Sequence, residues 1–219
     1  SQKVQLKGHP RLTIIVVIIF LLWFVNLQPL IANHYIIKTV GAQSAEEASL
    51  FFQKSLNSWM EKYEPREYFA QKATKAGYQQ IAEKDREVFQ KAFELAEAEM
   101  VKSSEENPLD FRPHLFLGEL YNGFYRLNGD PTKLKRAEEV LIKAIQLSPT
   151  NQQGYWNLAE VKLAEGNIAE TIDLLKKAVE LEPRLGYSHW YLAMAYKIAG
   201  ENKLAEEELR RADETAFEW

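Results

Sequence analysis

The chain contains no cysteine, which excludes a disulfide framework, thiolate chemistry and cysteine-ligated zinc. Histidine is scarce. His9, His34, His114 and His189 stand far apart without the spacing of a metal-binding H-E-x-x-H helix, and they read as solvated or packed side chains. The glycines form no phosphate-binding loop; Gly166 and Gly200 read instead as turns between helices, where positive φ costs glycine little. Long runs of one charge are missing as well. The 27 basic and 31 acidic residues are interleaved for a net charge of -4, which argues against nucleic acid as a partner, because phosphate binding needs a concentrated basic face. Glu46-Glu47 and Glu206 to Glu208 read as solvated helix faces rather than paired catalytic carboxylates. No nucleophile–base–acid set emerges, so no enzyme activity, cofactor or metal is expected of these residues.

One long apolar run is present. Residues Ser1 to Arg11 are polar and basic, with Lys3, Lys7 and Arg11; from Leu12 the chain is almost wholly apolar to Val25, and LIA extends the run to Ala32 after Asn26-Leu27-Gln28-Pro29. A helix over residues 12–32 is roughly 32 Å long at about 1.5 Å per residue, which matches a hydrocarbon core of about 30 Å. The pattern therefore predicts a transmembrane helix, with Trp23 and Tyr35 as interfacial anchors and Pro29 tolerated in its last turn. A cleaved secretory signal and a buried core helix compete with that reading. Three basic residues precede the run and only Lys38 follows closely, so the positive-inside rule puts the amino-terminal side in the cytoplasm and the remainder outside. Ser1 in place of methionine suggests a chain processed, tagged or cut from something longer.

Beyond the run the periodicity is helical. Ser44 and Glu47 have capping-box spacing, and Ala48, Phe51, Phe52, Leu56 and Trp59 recur at three and four to make one buried face. Pro65 suits a first helical turn. A second face follows in Val88, Phe89, Ala92, Phe93, Leu95, Ala96 and Met100, and Asn107-Pro108 breaks it. Residues 33–108 are read as a helical linker carrying one or two degenerate repeats.

From there a fixed period takes over. Leu158, Ala159, Gly166, Leu175 and Ala178 recur at an offset of 34 as Leu192, Ala193, Gly200, Leu209 and Ala212, and Leu141, Ala144 and Pro149 precede Leu175, Ala178 and Pro183 by the same interval. A constant period of this size signals a solenoid. Three units result: 109–149, 150–183 and 184–219. The first holds seven extra residues around Asn128-Gly129-Asp130-Pro131, which predicts a longer connection between its two helices. After the last helix, Phe217 and Trp219 are candidates to fold back as a cap.

These residues resemble the tetratricopeptide repeat (TPR), a pair of antiparallel helices in which small residues allow close approach, large ones fill the gap and proline ends the second helix. Tyr155, Leu158, Ala159, Leu175, Ala178 and Pro183 fit the pattern; Lys162 and Thr171 replace an aromatic residue and an alanine. The resemblance implies an all-α fold, here an N-terminal transmembrane helix followed by an α-solenoid of TPR helix pairs. It also implies a concave groove lined by the first helix of each pair. The groove positions fall on Leu115, Phe116 and Glu119, on Trp156, Asn157 and Glu160, and on Tyr187, Trp190, Tyr191 and Met194. Carboxylate-clamping members carry lysine and asparagine where Trp156 and Trp190 stand, so a free C-terminal carboxylate is not the expected ligand. An aromatic groove suits an apolar or extended peptide, and its faces also suit sugars; Trp156 and Trp190 equally suit packing between repeats.

The apolar run closing on N-x-x-P, followed by LSPTNQQGYWNLAEV and SHWYLAMAY, looks like the carboxy-terminal part of bacterial O-antigen ligase or polymerase-like membrane proteins. That likeness implies a lipid-linked glycan context, with any active site upstream of Ser1. Two readings of function stand: a membrane-anchored, non-catalytic TPR module that holds a protein or peptide partner at the outer face of the bacterial cytoplasmic membrane, or the regulatory tail of a glycan transferase.

Overall fold

The computed structural model describes residues 10–57, 63–77 and 85–215, and helices are the only regular elements among them. In order these are α1 (Pro10–Leu22), a π-helical turn (Trp23–Leu27), α2 (Gln28–Gly41), α3 (Ala45–Leu56), α4 (Tyr63–Gly77) and α5 (Arg86–Glu106). Three pairs follow: α6 (Phe111–Asn128) with α7 (Pro131–Leu147), α8 (Gln152–Ala164) with α9 (Ile168–Leu181), and α10 (Gly186–Ile198) with α11 (Asn202–Thr215). The chain divides into two compact units, Ser1–Tyr68 and Phe69–Trp219. The expectations for Lys3, Lys7, His9, Trp59, Phe217 and Trp219 fall on residues outside those described.

In the first unit the apolar run is not one α-helix. The α-helical ladder opens at Trp23, and the Gln28 N–H reaches back five residues to the Trp23 carbonyl. Pro29 gives the reason: it has no N–H for the Val25 carbonyl, and its ring crowds that oxygen, so the turn before it widens. No helix among the described residues is long and apolar enough to cross a membrane, which corrects the single transmembrane helix expected over 12–32. The helix also continues past Ala32 to Gly41, where the sequence suggested a linker. Ala32, Ile36 and Thr39 of α2 are buried, as are Ala48, Phe52 and Ser55 of α3, and the two helices pack together. Tyr35 stacks on Phe51 at 6.3 Å between ring centroids, joining α2 to α3. Ser44 caps α3 by accepting from the Glu47 N–H at 3.1 Å, while Glu47 reaches past the cap to accept from the Gln43 N–H.

In the second unit, α5 buries Ala92, Phe93, Ala96 and Met100, and Phe93 meets Phe124 of α6 edge-on at 5.0 Å. Glu97 of α5 accepts from Lys133 at 2.7 Å and Arg136 at 2.9 Å, tying α5 to α7. The repeats then reproduce one another's contacts at the period of 34. Gly166 and Gly200 have φ of 81° and 82°. The next residue in each case donates to the carbonyl five back, Asn167 to Lys162 and Glu201 to Tyr196, which ends α8 and α10 in the same left-handed cap. Tyr155 Oη donates to the Pro149 carbonyl at 3.0 Å, and 34 residues later His189 Nε2 meets the Pro183 carbonyl at 2.9 Å. Lys162 and Thr171, the two departures from the repeat pattern, are both buried and satisfied. Lys162 pairs with Glu138 and Glu165, and the Thr171 hydroxyl donates to the Asn167 carbonyl at 2.8 Å.

The first pair departs from the expected long connection. Only Gly129 and Asp130 separate its helices, and the extra residues lengthen the helices themselves: α6 has 18 residues against 13 in α8, and α7 has 17 against 14 in α9. Gly129, at φ 74°, makes the turn and the Asp130 carboxylate caps α7. Glu208 is a second departure from expectation. It is buried rather than solvated, because His189 Nδ1 lies 2.5 Å from its carboxylate and Arg211 donates to it at 2.9 Å.

Close approach of α6 to α7 depends on Gly118, where a Cβ would stand 2.3 Å from Leu141 Cγ. Gly118→Ala is expected to cost about 1–2 kcal/mol, the overpacking penalty less the gain in helix propensity. Urea unfolding measures it. In a Leu141→Ala background, where the obstructing side chain is gone, the same substitution should cost nothing; an additive loss in the double variant would contradict the packing account.

Candidate functional site

The inner helices α6, α8 and α10 lie side by side, α6 against α8 and α8 against α10, which brings the predicted groove residues onto neighbouring turns. Leu115 and Phe116 are exceptions. They are 2 % and 9 % exposed and belong to the core formed with Leu117, Tyr121, Leu141 and Leu158, so α6 presents only Glu119 of its three predicted groove residues.

Glu119 is part-buried and accepts from two amides of α8, Gln153 at 2.7 Å and Asn157 at 2.8 Å. Burial pushes its carboxyl above the ordinary glutamate range, the two amide hydrogen bonds oppose this, and the nearby Glu160 charge adds to it. Glu160 accepts from Asn122 of α6 at 2.9 Å and from Tyr191 of α10 at 3.3 Å, and Arg126 lies 3.6 Å away. Asn122 and Gln153 were not among the predicted contacts. Their offset of one turn from Glu119 and Asn157 on the same helix faces is the signal that would have found them. Asn122 is 2 % exposed, and its Oδ1 is buried without a hydrogen-bond partner.

The aromatic residues divide by role. Trp156 donates from Nε1 to Ser188 Oγ at 3.1 Å, lies edge-on to Tyr187 at 5.4 Å and stacks on Tyr191 at 6.0 Å, so it joins one repeat to the next. Trp190 stacks on Tyr187 at 6.2 Å with an interplanar angle of 17°, and these two residues are 44 % and 48 % exposed. Both are more exposed than Trp156, which is half-buried. Met194, one turn beyond Trp190, is half-buried. The arrangement is a surface with two carboxylates on one side and an aromatic pair on the other, joined through Tyr191.

Neither a family model nor a curated protein sequence matches the chain. Solved structures do. A thermophilic TPR protein of Thermus thermophilus is 20% identical with a TM-score of 0.64, over 80% of this chain and 84% of that one. MamA residues 41 to the end, from Desulfovibrio magneticus, is 18% identical with a TM-score of 0.56, over 84% of this chain and 94% of that one. A further crystal structure of MamA protein is 17% identical with a TM-score of 0.54, over 90% of this chain and 97% of that one. At such identities the likeness is one of fold, and the fold is the TPR solenoid. The resemblance to O-antigen ligase-like proteins draws no support from these structures.

Tyr191 supplies a pH-dependent check on the site. Burial, then the contacts with Tyr187 and Glu160, push its phenol well above the ordinary tyrosine value. The protonated form is thus favoured in the folded state, so this contribution to stability is complete below about pH 10, the unfolded value, and is lost as pH rises toward the folded one. Tyr191→Phe should flatten the fall in Tm between about pH 10 and 12. It should not abolish that fall, because Tyr121, also pushed up by burial to about 12, contributes to it too.

Proposed function

We propose that this chain is a non-catalytic docking module, whose concave face on α6, α8 and α10 holds a protein or peptide partner and whose apolar amino-terminal segment holds the module at a membrane. The observation that carries the first part is the exposed Tyr187–Trp190 pair. Two large rings that are nearly half exposed, beside a polar network that spans all three inner helices, form a surface more costly to leave wet than to cover. TPR folds present this inner face to extended peptides, in keeping with the aromatic groove. Its partner is a protein segment rather than nucleic acid, since basic residues are sparse here: none occurs in the α8 segment from Gln152 to Val161 or in the α10 segment from Gly186 to Tyr196.

Membrane attachment rests on a separate observation. Each of Ile14 through Leu22 is between 49% and 60% exposed, so this stretch of α1 is apolar all round its axis and about half exposed along its length. A helix of that kind belongs in a protein core or in lipid. The basic residues before this run and their scarcity after it support an orientation with the repeats on the outer side of a bacterial cytoplasmic membrane.

Two experiments test these parts separately. Trp190→Ala is expected to leave Tm within a degree or two, because its ring is half exposed, while reducing partner retention at least about tenfold, as aromatic anchors at interface centres do. Equal retention by the variant would remove the groove from the account. For attachment, the full chain should stay in the pellet after alkaline carbonate washing and a version lacking residues 1–32 should not. A reporter fused after Trp219 that is active only in the cytoplasm would reverse the assigned orientation.

A further inference from the structure

The hairpin of α2 and α3 carries its charge in a fixed direction. α2 begins inside the apolar run, which ends at Ala32, and continues unbroken to Gly41; after the turn at residues 42–44, α3 runs back along it. The Tyr35–Phe51 stack sets the register of the pair. At about 1.5 Å per residue, Tyr35 stands roughly 4.5 Å beyond Ala32, and Lys54, three residues past Phe51 on the returning helix, comes back to the level of Ala32 itself. Glu46 and Glu47 occupy the other end of α3, roughly 10 Å or more from Lys54 along its axis.

Two ammonium groups gather on the stacked rings. Lys38 Nζ lies 5.1 Å from the Phe51 centroid, and Lys54 Nζ lies 5.9 Å from the same centroid and 5.7 Å from that of Tyr35. Side chains on a helix lean toward its amino terminus, which brings the Lys38 ammonium back toward the level of Tyr35. Neither lysine has a carboxylate within ion-pair distance among the described residues. A ring face takes up one side of an ammonium and leaves N–H groups free to donate elsewhere. A helix leaving lipid passes at this level through the headgroup layer, about 5–7 Å deep on each side of the hydrocarbon core. The hairpin thus turns two unpaired cations toward that layer and its acids away from it.

We propose that Lys38 and Lys54, held on the Tyr35–Phe51 stack, bind the phosphate of an anionic lipid headgroup in the leaflet through which α2 emerges. This rests on the reading of the apolar amino-terminal segment as attached to a membrane. Contact with one ammonium is enough, because the second acts through its field at this range.

The test reconstitutes the full chain in phosphatidylcholine bilayers at low salt and measures, by electron spin resonance, how strongly spin-labelled phosphatidylglycerol and phosphatidylcholine associate with it. Lys38→Gln and Lys54→Gln should each cut the preference for phosphatidylglycerol about fivefold, the worth of one lysine beside an anionic surface, whereas Lys38→Arg and Lys54→Arg should keep it. Lys3, Lys7 and Arg11 are the same in every variant, so whatever they contribute cancels. Glu46→Gln, which alters one charge at the far end of α3, should change nothing, and high salt should close the gap between native and variant chains. A preference unchanged when both lysines are glutamine, or raised by Glu46→Gln, overturns the headgroup contact, while carbonate-resistant pelleting of the same protein keeps the attachment. Loss of the gap on adding millimolar glycerol 1-phosphate overturns the lipid in favour of a free phosphate ester. A chain that fails to enter the bilayers overturns the attachment and the contact together.

Discussion

The structure of the repeats depends on how closely the two helices of a pair approach. At Gly118 the approach is so tight that even a methyl group would overlap Leu141, and the matching Ala159 and Ala193 are buried at 2 % and 0 % exposure. Interiors packed to this density tolerate neither a void nor an added carbon without loss. Once the small residues set the distance within a pair, the turns fix its orientation. The left-handed glycine caps at Gly166 and Gly200 and the hydrogen bonds onto the Pro149 and Pro183 carbonyls leave each pair one way to follow the last.

The groove is a consequence of that stacking. Because the inner helices are held side by side, polar side chains one turn apart on each can bond across: Gln153 and Asn157 to Glu119, Asn122 and Tyr191 to Glu160, Trp156 to Ser188. Each such bond contributes on the order of 1 kcal/mol, and loss of one partner costs about 1–3 kcal/mol when the other is left buried. The network therefore gives the groove a defined shape before any partner arrives, which lowers the ordering cost of binding. Trp156 serves this framework, whereas Tyr187 and Trp190 remain open toward solvent.

Much of this was legible in the sequence because it is periodic. The offset of 34 located the glycine caps, the buried Leu158, Leu192 and Leu175 and the inner helices that carry Trp156 and Trp190. What escaped was whatever the period does not encode. Asn128-Gly129-Asp130-Pro131 reads as a long loop, yet the first pair takes up its extra residues as added helix, since residues on both sides of Gly129-Asp130 keep helical propensity and an apolar face. Glu208 carries the signature of a solvated acid and is buried because His189 faces it from the neighbouring helix, a pairing that no local pattern records. Phe116 occupies a groove position by register but turns into the core beside Gly118. The apolar run from Leu12 to Ala32 shows its composition plainly, whereas the π turn depends on the missing N–H of a single residue, Pro29.

The central claim is that the partner lies on the inner faces of α8 and α10. The most direct measurement follows the indole N–H resonances of the five tryptophans while a pool of extended peptides of random sequence is added to the full chain. The account predicts that Trp190 shifts most and Trp156, whose N–H is held by Ser188, shifts with it, while Trp23 stays unchanged. A titration that moves Trp23 alone, or that saturates without moving Trp190, would contradict it.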